Sequence, residues 1–107
     1  MKFREICDEK KDIFLFVLSD NICRIIIRTI TGKSKSAIEI SNEEGISLAS
    51  VYRRLNILLN SKIVTASGVI SHDGKKIFFY RSNISEIQML FDIRGIKVKI
   101  FNKCEQY

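Results

Sequence analysis

The side chains in this sequence best suited to chemistry are basic and amide groups, and the chemistry they suit is the binding of anions and bases. The segment ISLASVYRRL places Arg53 and Arg54 side by side, and Asn56 follows shortly after. A guanidinium group can pair with the edge of guanine, and a carboxamide can pair with the edge of adenine. This segment therefore predicts contact with nucleic acid.

Cysteine and histidine are too few and too scattered to predict a metal site. Cys7, Cys23 and Cys104 show no CxxC spacing, and His72 is the single histidine. Structural zinc needs four ligands, usually in short paired spacings. We therefore expect buried or free thiols, with no metal and no cofactor.

Motifs of catalysis are also missing from the sequence. It contains no HExxH, no GxSxG and no phosphate-cradling GxxxxGK[ST]. A chain of 107 residues has a modest core, because folding at this length buries roughly 60–70% of its surface. We expect no enzymatic activity.

Positive charge is concentrated in the middle of the chain. The net charge is +6, to which residues 1–20 contribute −1, residues 21–82 contribute +6 and residues 83–107 contribute +1. A basic domain of this size most often meets nucleic acid, ahead of an anionic membrane surface or an acidic protein. No apolar run approaches the roughly 18 residues that cross a bilayer, and the first residues do not resemble a secretory signal. The sequence predicts a cytoplasmic protein that does not enter membranes.

Apolar periodicity predicts four helices before the chain changes period. The first covers about Asp8 to Leu18, and the second follows a cap at Ser19 or Asp20 and is stopped by Gly32. A buried strand through CRIIIRTI is the competing prediction for the second segment.

A tight glycine turn separates the last two predicted helices. The third, SAIEISNEE, begins at Ser34 or Ser36 and ends at Gly45, and Ser47 caps the fourth, LASVYRRLNILLNSK. Two helices joined in this way predict a helix-turn-helix. The apolar stripe of the fourth helix consists of Val51, Leu55, Leu58 and Leu59.

Two β-hairpins are predicted after the helices. IVTASGVI and KKIFFYRS flank Asp73 and Gly74, a dipeptide that suits a two-residue turn. A second hairpin pairs about Ile87–Phe91 with Ile96–Phe101, and IKVKIF alternates between lysines on one face and aliphatic residues on the other.

The order of these elements is that of a winged helix-turn-helix, and residues 14–82 resemble the ArsR-like winged-helix regulators of archaea and bacteria. The shared cadence is a helix ending at a short polar turn, a positioning helix ending in glycine, and a recognition helix that runs into an Ile-Val strand. ISLASVYRRL is the most specific part of the resemblance. The segment from Ser34 to Lys62 contains no Cys and no His, so it lacks the metal-sensing motif of such relatives.

This resemblance implies an α+β fold in one domain, residues 1–107. N-terminal helices, the recognition helix and a β-hairpin wing would form the core at residues 14–82, and residues 83–107 would add a C-terminal β-hairpin extension. It also implies a transcriptional regulator that binds double-stranded DNA as a homodimer. The sequence assigns it no small-molecule effector.

Helical spacing predicts which residues meet DNA. If the fourth helix packs through its apolar stripe, a step of about 100° per residue leaves one face free for the major groove, formed by Ala49, Arg53, Asn56 and Asn60. The borders of this face, the helix termini and the wing tip are expected to add further contacts. These are Lys33, Ser34, Lys35, Ser47, Ser50, Tyr52, Arg54, His72, Lys75 and Lys76.

Several of these residues have an alternative role. Arg53 is expected to read bases and Arg54 to contact phosphate, unless the two are solvated or paired with Glu43 and Glu44. Residues 33–35 precede the third helix, whose positive end attracts phosphate, or they form a solvated turn.

The wing also carries residues with two interpretations. Lys75 and Lys76 are expected at the minor groove or its phosphates, and His72 is either a surface residue or a contact strengthened by protonation. The neighbouring aromatic residues are expected to cover the core on at least one face, the alternative being a stacking platform for single strands. They are Phe78, Phe79 and Tyr80.

A protein-interaction module is the second function that the sequence allows. Such a winged helix would dock an acidic partner or a subunit of the transcription apparatus. The basic, small-residue recognition face favours DNA, because a protein-docking surface more often exposes aromatic or aliphatic anchors.

Overall fold

The chain has an α+β architecture with helices and antiparallel sheets. A computed structural model describes residues 2–102, with side chains from residue 4 onward. The helices in this part of the chain are α1 (Asp8–Ser19), α2 (Asn21–Ile30), α3 (Ala37–Glu44) and α4 (Leu48–Asn60). The strands are β1 (Lys2–Glu5), β2 (Thr65–Ile70), β3 (Lys76–Arg81), β4 (Ile84–Asp92) and β5 (Gly95–Asn102). None of the described helices is long and apolar enough to cross a membrane.

The four predicted helices are confirmed, and α2 is a helix rather than the competing strand. Its buried residues Cys23, Ile26 and Ile30 recur at spacings of three and four, which places them on one helical face. The end of α2 differs from the prediction. Thr31 is already extended, with φ −72° and ψ 115°, so the helix stops before Gly32, which lies in the following turn with φ 75°.

Local capping sets the other helix boundaries. Ser36 and Glu39 form a reciprocal capping box at the start of α3, and Gly45 ends α3 in the left-handed conformation with φ 66°. The hydroxyl of Ser47 then accepts a hydrogen bond from the amide of Ser50, which begins α4. The turn between α3 and α4 is therefore fixed at both ends by the residues predicted to fix it.

The β2–β3 hairpin is confirmed, but its predicted two-residue turn is wrong. The amide of Ser71 donates to the carbonyl of Lys75 at 2.8 Å, which leaves residues 72–74 as the loop. Gly74 adopts φ 81°. A three-residue loop with a left-handed glycine at its last position is a common hairpin connection. The Asp-Gly pair therefore suits this loop as well as the predicted two-residue turn.

The C-terminal hairpin belongs to a larger sheet rather than forming a separate extension. The strand order is β1-β5-β4, and β5 pairs with β1 from Lys2↔Asn102 to Glu5↔Lys99. The β4–β5 hairpin starts earlier than predicted, at Ile84, and turns at Ile93 and Arg94. The sequence predicts no strand at β1, because four residues of mixed charge, KFRE, show no usable alternation.

One buried cluster joins the helices to this sheet. Phe14 of α1, Ile26 of α2, Leu55 of α4 and both Val98 and Ile100 of β5 are at most 1% exposed. Lys97 lies on the opposite, exposed face of β5, which confirms the predicted alternation of IKVKIF.

The connection between α2 and α3 holds the β2–β3 hairpin against the helices. Lys35 and Tyr80 exchange both backbone hydrogen bonds, at 3.0 and 2.8 Å. The amide of Gly32 donates to Ser82, and the amide of Ser82 donates to Ile30, each at 3.0 Å. The base of the hairpin is thus fixed by backbone contacts, whereas every residue of β2 is exposed.

The aromatic residues of β3 divide between the core and solvent. Tyr80 is 7% exposed and joins the buried cluster, Phe79 is half-buried and Phe78 is 45% exposed. The prediction that one face of this strand covers the core is confirmed at Tyr80.

Lys62 ends α4 in a conformation that favours glycine. Its φ is 63°, and no other described non-glycine residue has a positive φ. Its amide donates to Leu59, and the amide of Ile63 donates to Leu58, each at 3.0 Å. These two bonds form a Schellman motif, whose left-handed position is usually glycine because a Cβ there costs roughly 1 kcal/mol.

Replacing Lys62 by glycine should therefore stabilise the protein. We expect Lys62→Gly to raise the free energy of unfolding by about 0.5–1 kcal/mol, since relief of the left-handed strain exceeds the entropy that glycine adds to the unfolded chain. Urea titration followed by circular dichroism measures it. Lys62→Ala, which keeps the Cβ, is the control and should match the parent, and equal stability of the glycine and alanine variants would contradict this account.

Candidate nucleic-acid interface

The exposed face of α4 is the surface that its apolar stripe leaves free. Val51, Leu55 and Leu58 are buried and Leu59 is half-buried. The opposite side of the helix is exposed at Ala49, Tyr52, Arg53 and Asn56, and Ser50 is half-buried at its border. The predicted orientation of α4 is confirmed, since the burial of its stripe dictates it.

Arg53 projects from this face without a partner. It is exposed and makes no hydrogen bond or ion pair with any residue that the structure describes. Residues 45–85 contain six Lys or Arg and one acidic residue, Asp73. A fixed positive field with little internal compensation attracts polyanions.

Arg54 points into the protein instead of toward solvent. Its Nε lies 3.3 Å from Oδ2 of Asp20, and the two side chains are 18% and 19% exposed. Glu43 pairs with Lys35 rather than with either arginine. The structure therefore places Arg54 in an internal ion pair, whereas we predicted a phosphate contact for it on the other flank of the helix.

Asp20 connects α2 to α4. Its carboxylate accepts a hydrogen bond from the amide of Cys23 at 2.9 Å, which caps α2, and another from Arg54. Partial burial raises the pKa of Asp20, but the hydrogen bonds from Cys23 and Arg54 outweigh it and hold that pKa below its ordinary value. The carboxylate is therefore charged at neutral pH and holds Arg54.

The cysteines show no arrangement for metal or redox chemistry in the described residues. Burial raises the pKa of the Cys23 thiol to about 12, and the carboxylate of Asp20 adds to the effect. Since the thiolate is the reactive form, Cys23 is inert at neutral pH. Cys7 is exposed at the start of α1, Cys104 lies outside the described residues, and no group of three potential ligands lies together within residues 4–102.

The start of α3 is less suited to phosphate than predicted. Its capping box already uses the amides of Ser36 and Glu39, and it places a carboxylate at the positive helix end. Nζ of Lys35 lies 2.6 Å from both Oγ1 of Thr29 and Oε2 of Glu43, and the side chain is 11% exposed. Of the predicted contacts at residues 33–35, only Lys33 and Ser34 remain exposed.

The tip of the β2–β3 hairpin is a second exposed basic surface. His72, Lys75 and Lys76 are exposed there. Nζ of Lys76 lies 5.2 Å from the centroid of the Phe78 ring, a distance suited to a cation–π contact. Gly68 makes this possible, because a Cβ at that position would lie 2.7 Å from Cε of Lys76. Lys75 lies 4.0 Å from the carboxylate of Asp73, an exposed pair that holds it only weakly.

The internal pairs of Arg54 and Lys35 are what sequence reasoning missed. Asp20 and Arg54 are 34 residues apart, and no local pattern connects them.

No protein-family model matches the chain, and no curated protein matches its sequence.

Removing the charge of Asp20 should weaken the fold in a pH-dependent way. Asp20→Asn keeps a capping oxygen but leaves Arg54 without its counter-ion, so we expect a loss of about 1–2 kcal/mol in the free energy of unfolding at pH 7. The pKa of Asp20 in the folded chain is below its ordinary value of 3.8, so its contribution is present above that pH and is lost as the pH falls below it.

Urea titrations at pH 7 and pH 3 measure this difference. The difference in the free energy of unfolding between the parent and Asp20→Asn should be smaller at pH 3 than at pH 7. Asp12→Asn, on the exposed side of α1, is the control and should leave stability unchanged at pH 7. A gap of the same size at both pH values would show that the charge of Asp20 contributes nothing.

Proposed function

We propose that this protein is a transcriptional regulator that binds a specific sequence of double-stranded DNA. In this proposal its fold is a winged helix-turn-helix of the ArsR-like kind, α3 and α4 are the helix-turn-helix, and the β2–β3 hairpin is the wing. The unpaired guanidinium of Arg53 on the exposed, acid-free face of α4 carries the proposal.

The face of α4 suits the major groove in shape and in chemistry. The groove is about 12 Å wide and admits a helix whose leading side chains are small. Ala49 lets the backbone approach, while Arg53 offers a planar fork to guanine and Asn56 offers a carboxamide to adenine. Ser47, Ser50 and Tyr52 border this face and supply hydroxyls to neighbouring phosphates.

The hairpin tip adds contacts that carry no sequence information. Lys75 and Lys76 extend the positive surface of α4 toward the flanking phosphates or minor groove, together with His72. The ring of Phe78 limits the freedom of the Lys76 side chain, which lowers the entropy lost on binding. Lys33 and Ser34 act at the periphery, whereas Lys35 and Arg54 serve the scaffold through their internal pairs.

A protein-docking function has one observation in its favour. Leu48 and Tyr52 are 39% and 45% exposed and lie one helical turn apart on α4. Such a pair could anchor an acidic protein beside Arg53. Duplex binding that survives Leu48→Ser but fails in Arg53→Ala favours DNA, whereas no duplex binding by the parent chain favours the protein partner.

We further propose that the protein acts as a homodimer. α1 exposes Leu15 and Phe16, and the β4–β5 hairpin ends in Leu90, Phe91 and Ile93, of which Ile93 is fully exposed. Burying such side chains against a second copy is favourable, and a two-fold dimer matches a palindromic operator.

Sedimentation equilibrium at micromolar concentration should give the mass of a dimer. Phe91→Asp should shift the protein to a monomer, because a charge at an apolar contact is costly to bury. Ile70→Asp, at the equally exposed hairpin tip, is the control and should leave the mass unchanged. A monomeric mass for the parent chain would contradict the proposal.

The DNA-binding proposal is tested with a duplex selected from a random pool and its scrambled control, both measured by fluorescence anisotropy. Arg53→Ala should reduce the preference for the selected duplex about tenfold, since a bidentate base contact is worth roughly 1–3 kcal/mol of discrimination. The double variant Lys75→Ala, Lys76→Ala should weaken binding to both duplexes equally. It should also reduce the salt slope by up to about 0.9 for each phosphate that the protein no longer neutralises.

Arg28→Ala is the matched control for Arg53→Ala. Arg28 is an exposed arginine on α2 and is not among the residues of the proposed interface. Its removal should leave the preference for the selected duplex over the scrambled duplex unchanged. The assignment of the α4 face is contradicted if the Arg53 and Arg28 variants discriminate the two duplexes equally well.

A further inference from the structure

A second basic site lies where the two sheets approach each other. A pocket of about 280 Å³ opens there, and its charged side chains are Arg4 from β1, Lys62 after α4 and Arg81 at the end of β3. No acidic residue lines it. The remaining lining includes polar groups, among them Thr65 and Asn102.

The three cations of this pocket have no counter-ion in the described part of the chain. The side-chain nitrogens of Arg4, Lys62 and Arg81 form no ion pair and no hydrogen bond with a residue between 4 and 102, although the hydroxyl of Thr65 donates to the backbone carbonyl of Arg81 at 3.4 Å. A concave surface that is lined by three cations and by no acidic residue has a positive potential. Such a surface attracts an anion.

The backbone at Lys62 supports this independently. The left-handed conformation there favours glycine, yet the chain keeps a lysine whose position is on the pocket wall. Residues held in costly backbone conformations cluster at binding sites, where the side chain justifies the strain. A glycine at position 62 would relieve the backbone strain but would remove the positive charge from the pocket wall. Lys62 therefore fits that pattern.

We propose that the pocket formed by Arg4, Lys62 and Arg81 binds a phosphate group. Guanidinium forks pair with phosphate oxygens through two parallel hydrogen bonds, and an ammonium group adds a point charge. The side-chain amide of Asn102 supplies a further donor, while the hydroxyl of Thr65 donates to the backbone carbonyl of Arg81. The volume suits a phosphate or diphosphate moiety and is small for a larger organic group.

The residues of this pocket are not those of the proposed DNA interface, so the inference and its first test do not rest on that function. Arg81 and Lys76 are at opposite ends of β3, about 17 Å apart at roughly 3.3 Å per residue. Lys62 follows Arg53 by nine residues, which corresponds to about 14 Å along a helix axis.

Titration calorimetry of the full chain with inorganic pyrophosphate at low salt tests the proposal. The parent should bind, and Lys62→Gly and Arg81→Gln should each raise the dissociation constant about tenfold. Lys62→Gly is expected to be more stable than the parent, so its weaker binding cannot come from unfolding. Arg28→Gln, which removes an exposed arginine elsewhere, is the matched control and should bind as the parent does.

A second titration, into the protein bound to its selected duplex, distinguishes the sources of the phosphate. Binding without release of the duplex identifies a free phosphorylated ligand, whereas release of the duplex from the parent but not from Arg81→Gln identifies a phosphate of the DNA backbone. Both results support a phosphate site. No binding to the parent, or equal affinity in the Lys62, Arg81 and Arg28 variants, would overturn it.

Discussion

The ion pair between Arg54 and Asp20 reinforces the orientation of α4 that the burial of its apolar stripe dictates. Asp20 caps α2 and holds Arg54 through the same carboxylate, so the start of one helix is joined to the middle of another. Both side chains are largely buried, and rotating α4 would leave two charges without partners, which is costly. Arg53, one step of about 100° away, is consequently directed into solvent. Two adjacent arginines thus have opposite roles.

The position of the β2–β3 hairpin depends on a comparable contact in the backbone. Residues 30–35 hydrogen-bond to β3 and to Ser82, and this holds the hairpin base against the helices. The side chain of Lys35 reinforces the same connection by reaching Thr29 and Glu43. The base of the hairpin therefore keeps a fixed position against the helices.

Local sequence signals predicted the parts of the fold that local interactions determine. Ser36, Gly45 and Ser47 set helix ends through hydrogen bonds within a few residues, and the apolar period of α4 predicted the exposure of Arg53. Strand β1 was missed because it forms by pairing with β5, almost one hundred residues away. The roles of Arg54 and Lys35 were missed for a related reason, since their partners come from other elements. Secondary-structure propensity and apolar periodicity depend on residues that are close together in the sequence. They do not predict contacts between residues of different elements.

The most direct test of the account is amide chemical-shift mapping of the protein during titration with its selected duplex. If α4 and the hairpin tip bind the duplex as proposed, the shifts change at residues 47–57 of α4 and its cap, and at residues 71–76 of the hairpin tip. Changes confined to α1 and to the β4–β5 turn, or no changes at a saturating duplex concentration, would contradict it.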